Sequence, residues 1–155
     1  IRPVHCREAV ALFLNFTYMI DMPEHEEILR ANVDRLYGNG GPTDKVSVET
    51  VLQQMRQRRT LQVGLVYPGN GVIGLGGGNV FGAYQQAWFQ HYFNTYSCEI
   101  LFHELGHVMG YNHSSSFTYG PWAQELMNRF YVEHITEMPI DSPSYLKSEQ
   151  NPNKY

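Results

Sequence analysis

His103, Glu104, His107 and His113 stand within the stretch HELGHVMGYNH, at spacings that can bring three imidazoles and one carboxylate to a single point. His103 and His107 are four residues apart, so on a helix advancing ~100° per residue both rings leave from one face, one above the other. Glu104 follows the first of them and can reach the same point without ligating there. Gly110 tolerates positive φ, which ends the helix and turns the chain back. Three residues later His113 can return as a third nitrogen donor. Three histidines with one open position form the donor set of a catalytic zinc rather than of a closed structural one. Zinc in such a site lowers the pKa of its water toward ~7, and a carboxylate beside it can take the proton as the water attacks.

The pattern resembles the HExxHxxGxxH signature of the metzincin zinc endopeptidases. HExxH alone occurs often by chance. With the glycine and third histidine added at fixed offsets, a chance match is expected in fewer than about one chain in ten thousand. The resemblance spans eleven of the 155 residues. It implies zinc as the cofactor, His103, His107 and His113 as its ligands, and Glu104 as the general base. It further implies an α+β fold of the zincin type. In that fold a twisted, mostly parallel sheet of about five strands lies above the active-site helix, with a backing helix and a small helical C-terminal part. Substrate peptide in such enzymes pairs with an edge strand, for which Val72 to Phe81 is the candidate here.

One departure from the family stands out. Metzincins carry a methionine-containing turn beneath the zinc, followed two residues later by tyrosine in several branches. This sequence has Phe117-Thr118-Tyr119 soon after the third histidine, so phenylalanine takes the methionine's place. Met127 is the other candidate, but it falls in a helical pattern. Phe117 is preferred because it keeps the tyrosine in register. Its ring is then expected against His103 or His107. The Tyr119 phenol is expected near the metal, as a resting-state ligand or as a donor to the oxyanion.

The elements that must position these groups follow from periodicity. Arg7 to Ile20 has helical apolar spacing, although Leu12, Leu14, Phe16, Tyr18 and Ile20 also alternate as in a strand. A second helix opens at Pro23 behind Asp21-Met22, with Glu24, Glu26 and Glu27 in its first turn, and ends at Tyr37 before Gly38. GNGGP at Gly38 to Pro42 is a loop. Val48, Val51, Leu52 and Met55 mark a short helix closed by Arg56, Arg58 and Arg59. Leu61, Val63, Leu65 and Tyr67 share one face of a strand, Pro68 to Gly71 is a turn, and Gly71 to Leu75 begins the next strand. Gly74 to Gly78 lacks the third glycine of a dinucleotide loop and any Lys-Ser or Lys-Thr pair, so it is expected to be a strand running close to a cleft. Gly82 to Phe93 leads into the active-site helix, whose apolar side is Cys98, Leu101, Phe102, Leu105, Val108 and Met109. His91 there is expected to be a core or surface residue. Residues 114 to 120 form a polar loop, a helix runs from Pro121 to about His134, and 137 to 155 is an extended tail.

A chain of 155 residues, 43% hydrophobic and 17% charged, is expected to form one catalytic domain, residues 1–155. The formal charge of -4 argues against a nucleic-acid partner, and no apolar run reaches the ~20 residues of a membrane span. The expected partner is a peptide or protein substrate, and the enzyme is expected to be a monomer. Opening at Ile1, without initiator Met or signal segment, the chain is taken as a mature form or excised domain. By family habit it is placed outside the cytoplasm: secreted, periplasmic or surface-anchored. Cys6 and Cys98 are open to three readings: a buried thiol at Cys98, a bridge between the two, or Cys6 as a latency thiol on the zinc. Competing functions are a zinc protease with Glu125 as third ligand, an endoribonuclease with three histidines at these spacings and a Gly-Tyr dipeptide, and an inactive protease-like binding domain. The endoribonuclease family lacks a glutamate after its first histidine, and all four chemical residues of the protease are present here.

Overall fold

The computed structural model describes residues 3–66, 74–84, 95–119, 133, 134 and 137. The first layer is helical. Helix α1 (Pro3–Ile20) buries Phe16, Met19 and Ile20 at three- and four-residue spacing. Leu14 and Tyr18, which a strand would put on the inward face with Phe16, are exposed. The segment is a helix, and it begins earlier than its apolar spacing indicates.

Helix α2 (Pro23–Ala31) opens on Pro23, carries Glu24 and Glu26 in its first turn and Arg30 in its last. It stops well short of the expected end at Tyr37. The Asn32 side-chain amide donates to the Ile28 carbonyl at 2.9 Å, and the Asn32 backbone N–H donates to Leu29 at 3.2 Å. That local bonding competes with the α spiral, and only a 3-10 turn, Val33–Arg35, follows. Helix α3 (Val48–Arg56) is capped by Ser47, whose Oγ accepts from the Thr50 N–H at 3.1 Å. As its spacing predicts, Val48, Val51, Leu52 and Met55 all face the core.

The sheet comprises β1 (Gln62–Val66), β2 (Gly74–Gly77) and β3 (Val80–Tyr84), in the order β1-β3-β2. Strand β1 runs parallel to β3, with Val63 opposite Phe81, and β2 runs antiparallel to β3, with Gly77 opposite Val80. The mostly parallel sheet of about five strands is therefore not what the described residues form. They give three strands with one pairing of each kind. The cause is local: only Gly78 and Asn79 separate Gly77 from Val80, and Gly78 holds φ +55°, so a two-residue turn reverses the chain.

Helix α4 (Thr95–Val108) and the single helical turn α5 (Ser116–Tyr119) complete the described elements. Strand β2 packs directly on α4. A Cβ on Gly76 would come within 2.9 Å of both the Cα and the carbonyl carbon of Glu104, so only glycine permits this approach. Leu101, Phe102 and Leu105 on α4 are buried in one cluster with Phe16, Met19, Leu29, Val51 and Phe81. Phe16 meets Phe102 at 5.4 Å between ring centroids, and Phe13 meets Phe81 edge-on at 5.2 Å. The result is a mixed helix and small-sheet, α+β architecture. Among the described residues no helix is long and apolar enough to cross a membrane.

Several expectations lie outside the described residues: the Pro68–Gly71 turn, the lead-in segment with His91, the helix from Pro121 as far as residue 132 with Glu125 and Met127, and the tail from 138 onward. The thiols of Cys6 and Cys98 lie outside them as well.

Candidate metal centre

The site begins with how α4 stops. Gly110 holds φ +99°, its N–H donates to the His107 carbonyl at 3.0 Å, and the Tyr111 N–H reaches back to the Gly106 carbonyl at 3.0 Å. This pair of bonds around a left-handed glycine is the Schellman termination, which sends the chain back along the helix it has just left. His113 follows three residues after the turn, as its spacing required.

Two of the imidazoles are oriented by backbone. His103 Nδ1 lies 2.7 Å from the Thr118 carbonyl, and His107 Nδ1 lies 2.7 Å from the Tyr111 carbonyl. A carbonyl only accepts, so both Nδ1 atoms carry the proton and both Nε2 atoms present a lone pair. Those lone pairs converge: His107 Nε2 is 3.2 Å from His103 Nε2 and 3.0 Å from His113 Nε2. One ring nitrogen of each histidine falls within 4.8 Å of the other two. Two neutral imidazoles meeting lone pair to lone pair repel, and a cation between them removes the repulsion. Tetrahedral zinc with bonds of ~2.0–2.1 Å separates its ligand nitrogens by about 3.3 Å, close to the two spacings that His107 makes here. The residues fit a metal ion of that class. Burial holds the His103 imidazole below its usual pKa; the Thr118 carbonyl opposes this, and the neighbouring His107 and His113 add to it. A neutral ring is the ligating form.

Glu104 stands beside this cluster, with Oε1 3.9 Å from His103 Nε2. The residue is only 6% exposed, and burial alone pushes its carboxyl up to about 7. Compared with family models, curated proteins and solved structures, the chain has no match. The donor set and its supports are thus the whole basis for assigning the site.

The floor beneath the histidines is the segment from Ser115 to Thr118. Gly106, inside the HELGH motif, makes room for it: a Cβ there would lie 2.7 Å from the Phe117 carbonyl oxygen. Phe117 is 3% exposed and stacks on Tyr111 at 4.5 Å between centroids, so a ring contact is made with Tyr111, a partner not anticipated. The residues expected as a polar loop instead wind into the turn α5, and this aims the Thr118 carbonyl at His103. Tyr119 closes that turn in the backbone, and its side chain lies outside the described residues.

A second segment braces the floor from far away in sequence. The Tyr37 carbonyl accepts from Ser115 Oγ at 2.8 Å and from the Ser116 N–H at 3.2 Å, while the Tyr37 N–H donates to Ser116 Oγ at 2.9 Å. Asn39 donates from Nδ2 to the Gly110 carbonyl at 3.0 Å and accepts at Oδ1 from the Asn112 N–H at 2.7 Å. Sequence reasoning brought together His103, Glu104, His107 and His113, and the structure does the same. It missed Thr118, Tyr111, Gly106 and Asn39. Of these, only Gly106 carried a usable signal, as a helix-interior glycine that costs stability unless something packs on it. Carbonyl acceptors leave none.

Proposed function

We propose that this chain is a zinc-dependent endopeptidase of the metzincin type. The observation that carries this reading is the convergence of three imidazole nitrogens, two oriented by backbone carbonyls, beside a buried carboxyl on the same helix. His103, His107 and His113 would hold the ion. Zinc there supplies a Lewis acid that acidifies a water and polarises the scissile carbonyl. Glu104 takes the proton released at its carboxylate and returns it to the leaving amine. Its burial brings it near neutrality, where a carboxyl both accepts and gives up a proton. By the same resemblance, the Tyr119 hydroxyl donates to the carbonyl oxygen under attack. An extended peptide would pair with β2, which ends the described sheet and runs over Glu104. The smaller mixed sheet described here is then a variant on the family's layer of sheet over helix.

Glu125 is not needed as a third ligand, because His113 already brings a nitrogen to 3.0 Å from His107. The nuclease alternative leaves the buried Glu104 carboxyl without a task. The test is hydrolysis of a mixed peptide library by the zinc-loaded protein. Activity should vanish with a chelator and return on adding zinc. Glu104→Gln should keep the metal and lose ~10²–10⁴ in rate. Hydrolysis indifferent to chelation, or RNA cleavage without peptide cleavage, overturns the assignment.

A further inference from the structure

Asn39 lies 71 and 73 positions from the two residues it bonds and hydrogen-bonds none of the four chemical residues, yet its side chain bonds both flanks of Tyr111. The Nδ2 donor takes the Gly110 carbonyl, which the Schellman turn leaves outside the helix, and the Oδ1 acceptor takes the Asn112 N–H. A primary amide offers a donor and an acceptor side by side. Here it pairs with a stretch of backbone as an adjacent strand would. Between the two bonds sits the Tyr111 carbonyl that orients His107, and directly after them comes His113. The hydroxyl of Tyr111 is itself tied to Gln54 on α3, so the bracketed residue is fixed at both ends.

We propose that Asn39 is a positioning residue for the metal centre, setting the placement of His113 and the carbonyl that orients His107. The proposal rests on the zinc reading given above, and it assigns Asn39 no contact with metal or substrate. Without the bracket, the segment after Gly110 keeps its helix-stop bonds and the bonds of Ser115 and Thr118 to the Asn112 carbonyl, but loses the two that pin it between Gly110 and Asn112. His113, exposed and at the end of that segment, has the most freedom to gain. Asn39 is itself exposed, so its removal empties no core space, and general stability should hardly respond.

The experiment measures zinc affinity by competition with a chromogenic chelator, together with the cobalt(II) absorption spectrum, in which band intensity reports coordination number. The proteins are wild type, Asn39→Ala, Asn39→Gln, His113→Ala and the double variant Asn39→Ala/His113→Ala. Gln is polar and equally at home on the surface, but one methylene too long to bracket Tyr111. Both single Asn39 variants should bind zinc about tenfold more weakly, in the range typical of residues that support a ligand from behind. Their cobalt bands should weaken, and their thermal midpoints without metal should stay at the wild-type value. In the His113→Ala background the Asn39 substitution should have a clearly smaller effect, because only its action through the Tyr111 carbonyl on His107 is left. Wild-type affinity and spectrum in Asn39→Ala, or an equal loss with and without His113, overturns the proposal while leaving the zinc site intact. A wild-type protein that binds no zinc removes both.

Discussion

His25 and His107 are both imidazoles on helices, and they are set in place for different ends. His25 faces the helical layer from α2 with no exposure, beside Leu29, and burial, with the nearby Arg56 cation adding to it and a backbone bond to Ile20 opposing, lowers its pKa to about 4. His107 is half-buried, its proton held on Nδ1 by the Tyr111 carbonyl and its lone pair turned toward two other histidines. Desolvation decides whether a ring is charged but leaves its direction to packing. A carbonyl bond decides which nitrogen is free and where it points. Of the two rings, only His107 turns its free nitrogen toward other histidine nitrogens. The helical layer is therefore expected to govern stability and its pH dependence, and the site layer to govern metal affinity.

The largest separation between the two should come from substitution of each histidine. His107→Ala removes a donor and should weaken zinc binding by well over the ~10²-fold upper range for supporting residues. His25→Gln should leave affinity unchanged, and isothermal titration of both variants checks the pair. Next comes the pH response of the metal-free chain. His25 has a folded pKa near 4 against 6.5 in the unfolded chain, so the unfolded state binds more protons between these values. The stability His25 permits is present above pH 6.5 and lost as pH falls toward 4, by roughly 3 kcal/mol in all. Glu104, raised to about 7, acts with opposite sign: its contribution is present below its ordinary value of 4.5 and lost as pH rises through 7. Urea melts of wild type and His25→Gln, subtracted at each pH, cancel the Glu104 part. A flat difference between pH 4 and 6.5 would erase the contrast between the two histidines.

A smaller effect should follow from Gly76→Ala. The added methyl meets the backbone of Glu104, which cannot rotate away, so β2 must lift from α4 at a cost of about 1–3 kcal/mol. Because that movement also uncovers the carboxyl, Glu104 should titrate lower in the variant, as carboxyl NMR can read. A normal melt with an unchanged Glu104 would show that β2 is not what buries it.

What the sequence revealed follows the same division. The cluster of three histidines was legible because helical geometry fixes the offset of four between His103 and His107, and because a glycine at 110 can end a helix. Helix α3 was legible from apolar spacing, whereas the spacing of α1 fitted a strand nearly as well as a helix. The end of α2 was not, since Asn32 acts through a side-chain bond to Ile28 that no periodicity records. Strand order was hidden as well: the pairing of β1 with β3 rather than β2 depends on partners distant in sequence. The supports of the site were illegible for the same reason, because Thr118 and Tyr111 act through carbonyl groups that every residue has.

The bonds from Tyr37 to Ser115 and Ser116 close loops of 78 and 79 positions. His103 and His107 come into register as soon as one stretch of helix winds up, on the timescale of local structure. The floor and the third donor wait for a closure that spans half the chain, among the slowest contacts to form in a chain of this length. A refolding chain is therefore expected to pass through a stage with two imidazoles aligned and the third not yet braced. Metal offered during refolding should be caught first by that weak pair and retained firmly only once the two distant segments have met. The rate at which tight zinc binding appears would then report the completion of folding itself.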